Sequence, residues 1–158
     1  VTVEVRGVDG LDLDLQANRP TAVRRDAMGA RRRDAFATFD EPLVDLPAEY
    51  SLGVRWRGRT ALTLADGTNG VLDYKARVTG REVVVIGRQR LQTYVVEIAG
   101  VAVTPKGRPL YDHGSRLWAL PNFGIPLRQR LWWRARNGVP GRPQRDETTE
   151  CLWVQLRN

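Results

Sequence analysis

Val1-Thr-Val-Glu-Val-Arg-Gly-Val8, then Asp9-Gly10, then Leu11-Asp-Leu-Asp-Leu15 open the chain as two alternating runs joined by a turn dipeptide. Apolar residues at every second position make a strand with one buried face, and Asp-Gly tolerates the positive φ of a two-residue hairpin turn. Val1, Val3 and Val5 then share their buried side with Leu11, Leu13 and Leu15. The same period of two governs most of the chain.

From Tyr50 onward strand-like runs recur with turn residues between them: Tyr50–Arg59, Thr60–Leu64, Val71–Thr79, Glu82–Ile86, Leu91–Ile98, Gly100–Val103, Arg116–Leu120, Ile125–Arg136 and Thr148–Arg157. The turn segment 65–70 and the Gly/Pro-rich loops at 105–114, 121–124 and 137–143 separate them. No sustained 3.6-residue pattern competes, so the expected class is all-β, a curved antiparallel sheet or incomplete β-barrel. Residues 17–40 differ. Arg24, Arg25, Arg31, Arg32 and Arg33 lie among alanines and Gly29, which suits either a short helix over 22–37 or a connecting arm. The expected organisation is an N-terminal β-hairpin and Arg-rich arm over 1–40 and a curved antiparallel β-domain over 41–158, together one structural unit.

The chain has 158 residues, 25 Lys+Arg, 18 Asp+Glu and a net charge of +7, so it buries a core without needing staples. Residues 1–53 carry seven arginines and ten acids, a balance of −3; the remainder carries sixteen arginines, two lysines and eight acids, a balance of +10. Such a basic excess suits nucleic acid, an anionic membrane surface or an acidic partner without choosing among them. No apolar run is long enough for a membrane-spanning helix. The chain starts at Val1 with neither a Met nor a signal segment, which implies a removed leader or a fragment of a longer protein.

A single cysteine, Cys151, and a single histidine, His113, remove disulfide frameworks, cysteine zinc clusters and His-rich metal sites. Asp112-His113-Gly114-Ser115 reads as a polar loop cluster, since triad members meet from separate segments. No G-x-S-x-G, G-x-G-x-x-G or Walker loop occurs. The expectation is a non-enzyme, with no catalytic, cofactor-binding or metal-binding residues and no cofactor.

Arginine interleaved with tryptophan is the more informative pattern. In Leu127-Arg-Gln-Arg-Leu-Trp-Trp-Arg-Ala-Arg136, period two places Leu127, Leu131 and Trp133 on one face and Arg128, Arg130, Trp132, Arg134 and Arg136 on the other. Tyr50–Arg59 likewise sets Leu52, Val54 and Trp56 against Arg55, Arg57 and Arg59. Two candidate surfaces result. Trp56, Trp118, Trp133 and Trp153, all beside aliphatic residues, either fill a core or line a face for an apolar ligand or partner protein. Arg128, Arg130, Trp132, Arg134 and Arg136 form a face for an anionic partner, single-stranded nucleic acid being the less favoured occupant.

Three segments resemble a bacterial cell-envelope β-domain family of unknown function, found in periplasmic proteins and lipoproteins. They are Pro42…Leu46-Pro47…Leu52-Gly53-Val54-Arg55-Trp56, similar to a G-x-x-W pattern; Val78…Gly80-Arg-Glu82-Val-Val84…Leu91…Thr93-Tyr94-Val-Val96, similar to V-x-G-x-E-x-V and a following T-Y-x-V strand; and Trp118-Ala-Leu-Pro121…Gly124-Ile-Pro126-Leu-Arg128, similar to W-x-x-P-x-x-G-x-P-x-R. The resemblance covers about residues 42–136 and the strand ending at Arg157. Leu91 and Gly87-Arg88-Gln89 depart from that family's aromatic and Pro-Ala-Gly turn. The resemblance implies a half-barrel-like sheet, a periplasmic or envelope location, and no established activity or cofactor. The functional expectation is a non-enzymatic envelope β-domain that binds an apolar ligand or partner protein on a Trp-lined face. The alternative is a structural subunit that self-assembles through sheet edges, with the N-terminal hairpin pairing to a neighbour.

Overall fold

The computed structural model describes residues 2–7, 12–13, 30–34, 36–47, 49–121, 126–136 and 145–157. Ten strands are present: β1 Thr2–Gly7, β2 Asp12–Leu13, β3 Ala30–Arg33, β4 Ala37–Val44, β5 Arg55–Leu64, β6 Asn69–Ile86, β7 Gln89–Val103, β8 Pro109–Ala119, β9 Pro126–Ala135 and β10 Arg145–Arg157. They form antiparallel pairs in the order β2-β1-β10-β9-β8-β7-β6-β5-β4-β3, and the sheet does not close into a barrel. No helix occurs among the described residues. The all-β class and the open, antiparallel sheet are as the alternation predicts.

The opening hairpin is present as β1 against β2, with Val5 opposite Leu13 and Arg6 opposite Asp12. The Asp9-Gly10 turn lies outside the described residues. The Arg-rich segment departs from expectation: residues 30–33 are a strand, β3, paired with β4 through Ala30↔Val44 and Arg31↔Leu43. No helix therefore runs through to residue 37. The expected division at 40/41 also falls inside β4, whose Phe39 is in the core. Phe36, Ala37 and Phe39 supply the reason, for burying them requires β4 to join the sheet.

Several predicted pairs of short strands are single long ones. β5 runs through Gly58, β6 through Gly80 and β7 through Gly100. Gly80 adjoins a β-bulge: Val78 opposes Val96, but Gly80 opposes Val95, leaving Thr79 as the extra residue. One extra residue moves the following side chains to the opposite face. Hence Leu72, Tyr74, Ala76 and Val78 belong to the main core, whereas Val84 and Ile86 are buried outside it. A side chain at Gly80 would meet open space, so the bulge does not depend on glycine there.

A lone sheet can bury its apolar face only against itself, and this one does so by curling. The inner face gathers Leu62 and Leu64, Leu72 to Val78, Val96 and Ile98, Tyr111 and Leu117, and Leu131 and Trp133 into one cluster with Phe36, Phe39, Leu43 and Leu46. β4 and β9 stand five places apart in the order, yet Trp133 stacks on Phe36 at 5.4 Å and on Phe39 at 6.3 Å between ring centroids. Tyr111 closes the group edge-on to Phe36 at 5.1 Å.

Asp34 ties this meeting point together. Its Oδ1 accepts the N–H groups of Phe36 and Ala37, each at 2.8 Å, as an Asx turn leading into β4. Its Oδ2 accepts Nε1–H of the fully buried Trp133 at 3.1 Å. Towards β5 the ladder of β4 stops at Phe39, and beyond it side chains hold the strand. The Thr60 hydroxyl accepts Glu41 N–H at 3.0 Å and donates to Glu41 C=O at 2.7 Å. Trp56 Nε1–H donates to Val44 C=O at 2.9 Å, and Tyr74 Oη accepts Val44 N–H at 3.0 Å. Tyr74 reaches Val44 by lying across Gly58, where a Cβ would collide with its ring.

Removing the Asp34 carboxylate strands one buried indole N–H and two turn amides. Asp34→Ala is expected to cost about 2–4 kcal/mol in urea unfolding, and Asp34→Asn, which keeps the turn acceptor but cannot accept from Trp133, roughly half of that. In a Trp133→Phe background the Asp34→Asn cost should shrink towards zero, and a cost unchanged there would refute the link.

Candidate binding face on the outer side of the sheet

The alternation that fills the inner face sends an arginine-rich set outward. On β9, Arg128, Arg130, Trp132 and Arg134 lie opposite Trp118, Arg116, Gly114 and Asp112 of β8 respectively, with Arg136 just beyond the strand. Arg128, Arg130, Trp132 and Arg134 thus share one side of the sheet, as the alternation predicts. Trp132 is its centrepiece. It lies flat over Gly114, where a Cβ would collide with the indole, so glycine is what lets the ring rest on the sheet. The Arg130 and Arg134 guanidinium groups flank the ring at 5.7 and 5.8 Å from its centroid.

Much of the positive charge on this strand is already matched. Arg130 grips Asp146 bidentately, Nε to Oδ1 at 2.9 Å and Nη2 to Oδ2 at 2.8 Å, and Arg134 approaches the same carboxylate at 3.6 Å. The hydrogen bond from Arg130 holds the Asp146 carboxyl below the usual carboxylate range, with the charges of Arg130 and Arg134 assisting against a modest cost of burial. Arg136 Nε donates to Asp112 Oδ1 at 2.7 Å.

The four tryptophans expected to share a face do not. Trp133 is at 0% exposure inside the aromatic core, and the half-buried Trp56 packs against the same core. Trp118 is on the other side, opposite Arg128, with Arg116 and Arg128 over its ring at 5.0 and 5.5 Å. Its Nε1–H donates to Glu82 Oε2 at 2.6 Å, while Arg116 Nη2 donates to Glu82 Oε1 at 2.7 Å. Trp153 is opposite Arg6 in the β10–β1 pairing, and its side chain lies outside the described residues. The cause of the split is register: residues 118 and 133 fall on opposite parities of adjacent strands. Of the choice between core and ligand-lining face, Trp133 is core.

Asp112-His113-Gly114-Ser115, read as a loop, is the middle of β8. Period two therefore separates Asp112, on the outer face, from His113 and Ser115, which are buried at 2% and 0% exposure. His113 packs against Trp133 with ring centroids 4.1 Å apart and planes tilted by 33°, its Nδ1 3.2 Å from the Trp132 carbonyl. Ser115 Oγ accepts from Gln129 Nε2 at 3.2 Å. Histidine and serine here satisfy the core, and the aspartate faces away from both.

A feature that the sequence patterns did not single out lies on β5 to β7. Two adjoining hollows, of about 610 and 850 Å³, share Arg57, Lys75 and Ala99 and so make one groove across the outer face. Its walls include Arg55, Arg57, Arg59, Lys75 and Arg77 together with Glu97, which stands opposite Arg77, its floor includes Ala99 and Val101, and Asp112 and Trp132 stand at its far side. Arg59 approaches Asp73 at 3.7 Å. Among the described residues, Arg55, Arg57, Lys75 and Arg77 form no ion pair. The signal was present in Tyr74-Lys-Ala-Arg-Val78, whose cations occupy alternate, outward positions.

Among the described residues no group of three or more His, Cys, Asp or Glu side chains is placed to hold a metal ion. No helix is long and apolar enough to cross a membrane. Compared with protein-family models, curated proteins and solved structures, the chain matches none.

The Asp146 pairing sets a pH dependence whose sign is fixed. Its folded-state pKa is lowered, so the stabilisation is present above the ordinary aspartate range and fades as pH falls through the lowered value. Carbonyl-carbon NMR should place the Asp146 midpoint below that of an unstructured aspartate. Arg130→Gln should return it most of the way, and Arg134→Gln should move it less.

Proposed function

We propose that this chain is a non-catalytic binding domain whose outer sheet face receives an acidic surface or segment of a partner protein. The observation that carries this reading is the groove, where Arg55, Arg57, Arg59, Lys75 and Arg77 outnumber the carboxylates of Asp73, Glu97 and Asp112 that also line it, and where Arg55, Arg57, Lys75 and Arg77 form no ion pair among the described residues. Four cations around a shallow apolar floor repel one another, and an anionic partner relieves that repulsion while its own apolar groups cover Ala99 and Val101. The net charge of +7 draws such a partner in. An apolar ligand finds less support: the inner face is filled by core side chains, with Trp133 among them. The resemblance to envelope β-domains would place this binding in the periplasm or cell envelope, as part of the same proposal.

A subunit role in an envelope assembly is the second reading. The open sheet favours it, since β2 and β3 are each paired on one side only among the described strands. The three successive arginines of β3 work against pairing between like edges.

Titration of Trp fluorescence at low salt with an oligoglutamate peptide, single-stranded oligothymidylate and anionic vesicles tests the reading. The peptide is expected to bind with an affinity that falls as salt rises, and the exposed pair Arg57→Glu with Lys75→Glu to weaken it by about tenfold or more. Preference for the oligonucleotide or the vesicles would replace the proposed partner class. Silence with all three would end the proposal.

A further inference from the structure

Past Val78, β6 leaves β5 behind. The pairing of the two strands ends at Arg55↔Arg77, and the turn at residues 51–54 takes both the N–H and the C=O of Val78, at 2.9 and 3.0 Å. From Gly80 to Ile86, β6 is bonded to β7 alone, and β7 meets β8 only from Tyr94 onward. Residues 80–93 are thus a two-stranded ribbon extending beyond the sheet, closed by the turn Gly87-Arg88.

Backbone direction along this ribbon is set by its turn. A two-residue connection makes Ile86↔Gln89 a hydrogen-bonded pair, and alternation then bonds Val84 and Glu82 to β7 as well. The N–H and C=O groups of Arg81, Val83 and Val85 point the other way, along an edge to which no described strand is paired, although β10 approaches β6 elsewhere without a ladder. These residues also hold the exposed apolar surface, for Val83 and Val85 are 47% and 51% accessible. Arg81 shares their face, and so does Arg90, opposite Val85. Glu82 is the ribbon's one acid, and it is engaged on the opposite face by Arg116 and Trp118. That clamp fixes the ribbon to the sheet and leaves the edge preformed, which lowers the ordering cost of binding.

We propose that the Arg81–Val85 edge of β6 accepts an extended segment of a partner protein as an added strand. The segment would lay aliphatic side chains across Val83 and Val85 and present carboxylates to Arg81 and Arg90. A second copy of the chain is the poorer occupant. Its β3 edge carries Arg31, Arg32 and Arg33, repelled by Arg81 and Arg90, and its β2 edge is two residues long. This site is separate from the outer groove and does not require it.

The probe is a capped peptide of alternating valine and threonine flanked by glutamates, added to the isotope-labelled full chain. Amide exchange at Arg81, Val83 and Val85 is expected to slow on titration, while Glu82 and Val84, already bonded to β7, stay as they were. N-methylation of alternate peptide amides should weaken binding by about tenfold or more. Val83→Pro removes an outward N–H without touching the β7 ladder and should do the same. The doubly substituted Val83→Lys, Val85→Lys chain, altered only at exposed positions, repeats the test if the proline disturbs folding. Arg57→Glu with Lys75→Glu should leave this binding intact, which separates it from the groove. Unchanged exchange at the three edge amides under saturating peptide overturns the proposal. So does protection confined to β2 or β3, or self-association that the double lysine variant abolishes.

Discussion

The Trp133 indole sits where two distant strands of one sheet come face to face, its N–H held by Asp34 and its ring stacked on Phe36 and Phe39 from the β4 side. Everything else in the architecture answers to that meeting. With no helix or second layer among the described residues to cover the inner face, burial of Leu72, Ile98, Leu117 and their neighbours requires the sheet to curl until β4 lies over β9. A ring as large as indole fills the space between them, but its N–H is then deep in an apolar core and must find an acceptor. Asp34 supplies it, and with the other carboxylate oxygen shapes the turn that starts β4.

Because the inner face is spent on the core, recognition is left to the outer one, and the two faces use arginine differently. On β8 and β9 the guanidinium groups are paired with Asp112, Asp146 and Glu82 and laid over Trp118 and Trp132, which makes a firm surface whose positive charge is partly matched. On β5 and β6, Arg55, Arg57, Lys75 and Arg77 form no ion pair among the described residues and, with Glu97 as the nearest acid in the ladder, stand around Ala99 and Val101. A rigid aromatic wall beside a groove with an excess of cations gives a partner both a place to rest and a reason to stay.

Period two was legible, and with it the fold class, the opening hairpin and the facing of β5 and β9. The residues that misled did so for identifiable reasons. Phe36 and Phe39 lie within an arginine- and alanine-rich segment whose local preference is helical, and only the distant Trp133 makes a strand there worthwhile. Asp112 to Ser115 look like a loop by composition, yet β7 and β9 on either side capture them as a ladder. Val71–Thr79 and Glu82–Ile86 read as two strands but form one, and the extra residue at Thr79 divides its even-numbered residues between two faces. The scatter of the tryptophans is likewise a matter of register between strands, which no single stretch of sequence records. The basic groove was written in Lys75 and Arg77 and became visible once their neighbours on β5 were known.

The strand order carries a kinetic meaning. From β3 to β10 every strand pairs with its immediate successor or predecessor along the chain, so each ladder forms by closing a short loop. The Asp34–Trp133 bond joins residues separated by 99 positions. The meander can zip up hairpin by hairpin while still flat and open, and only afterwards roll shut. Until it does, a broad apolar surface is presented to water and to other chains, so the final closure of β4 over β9 is also the step that ends the molecule's exposure to aggregation.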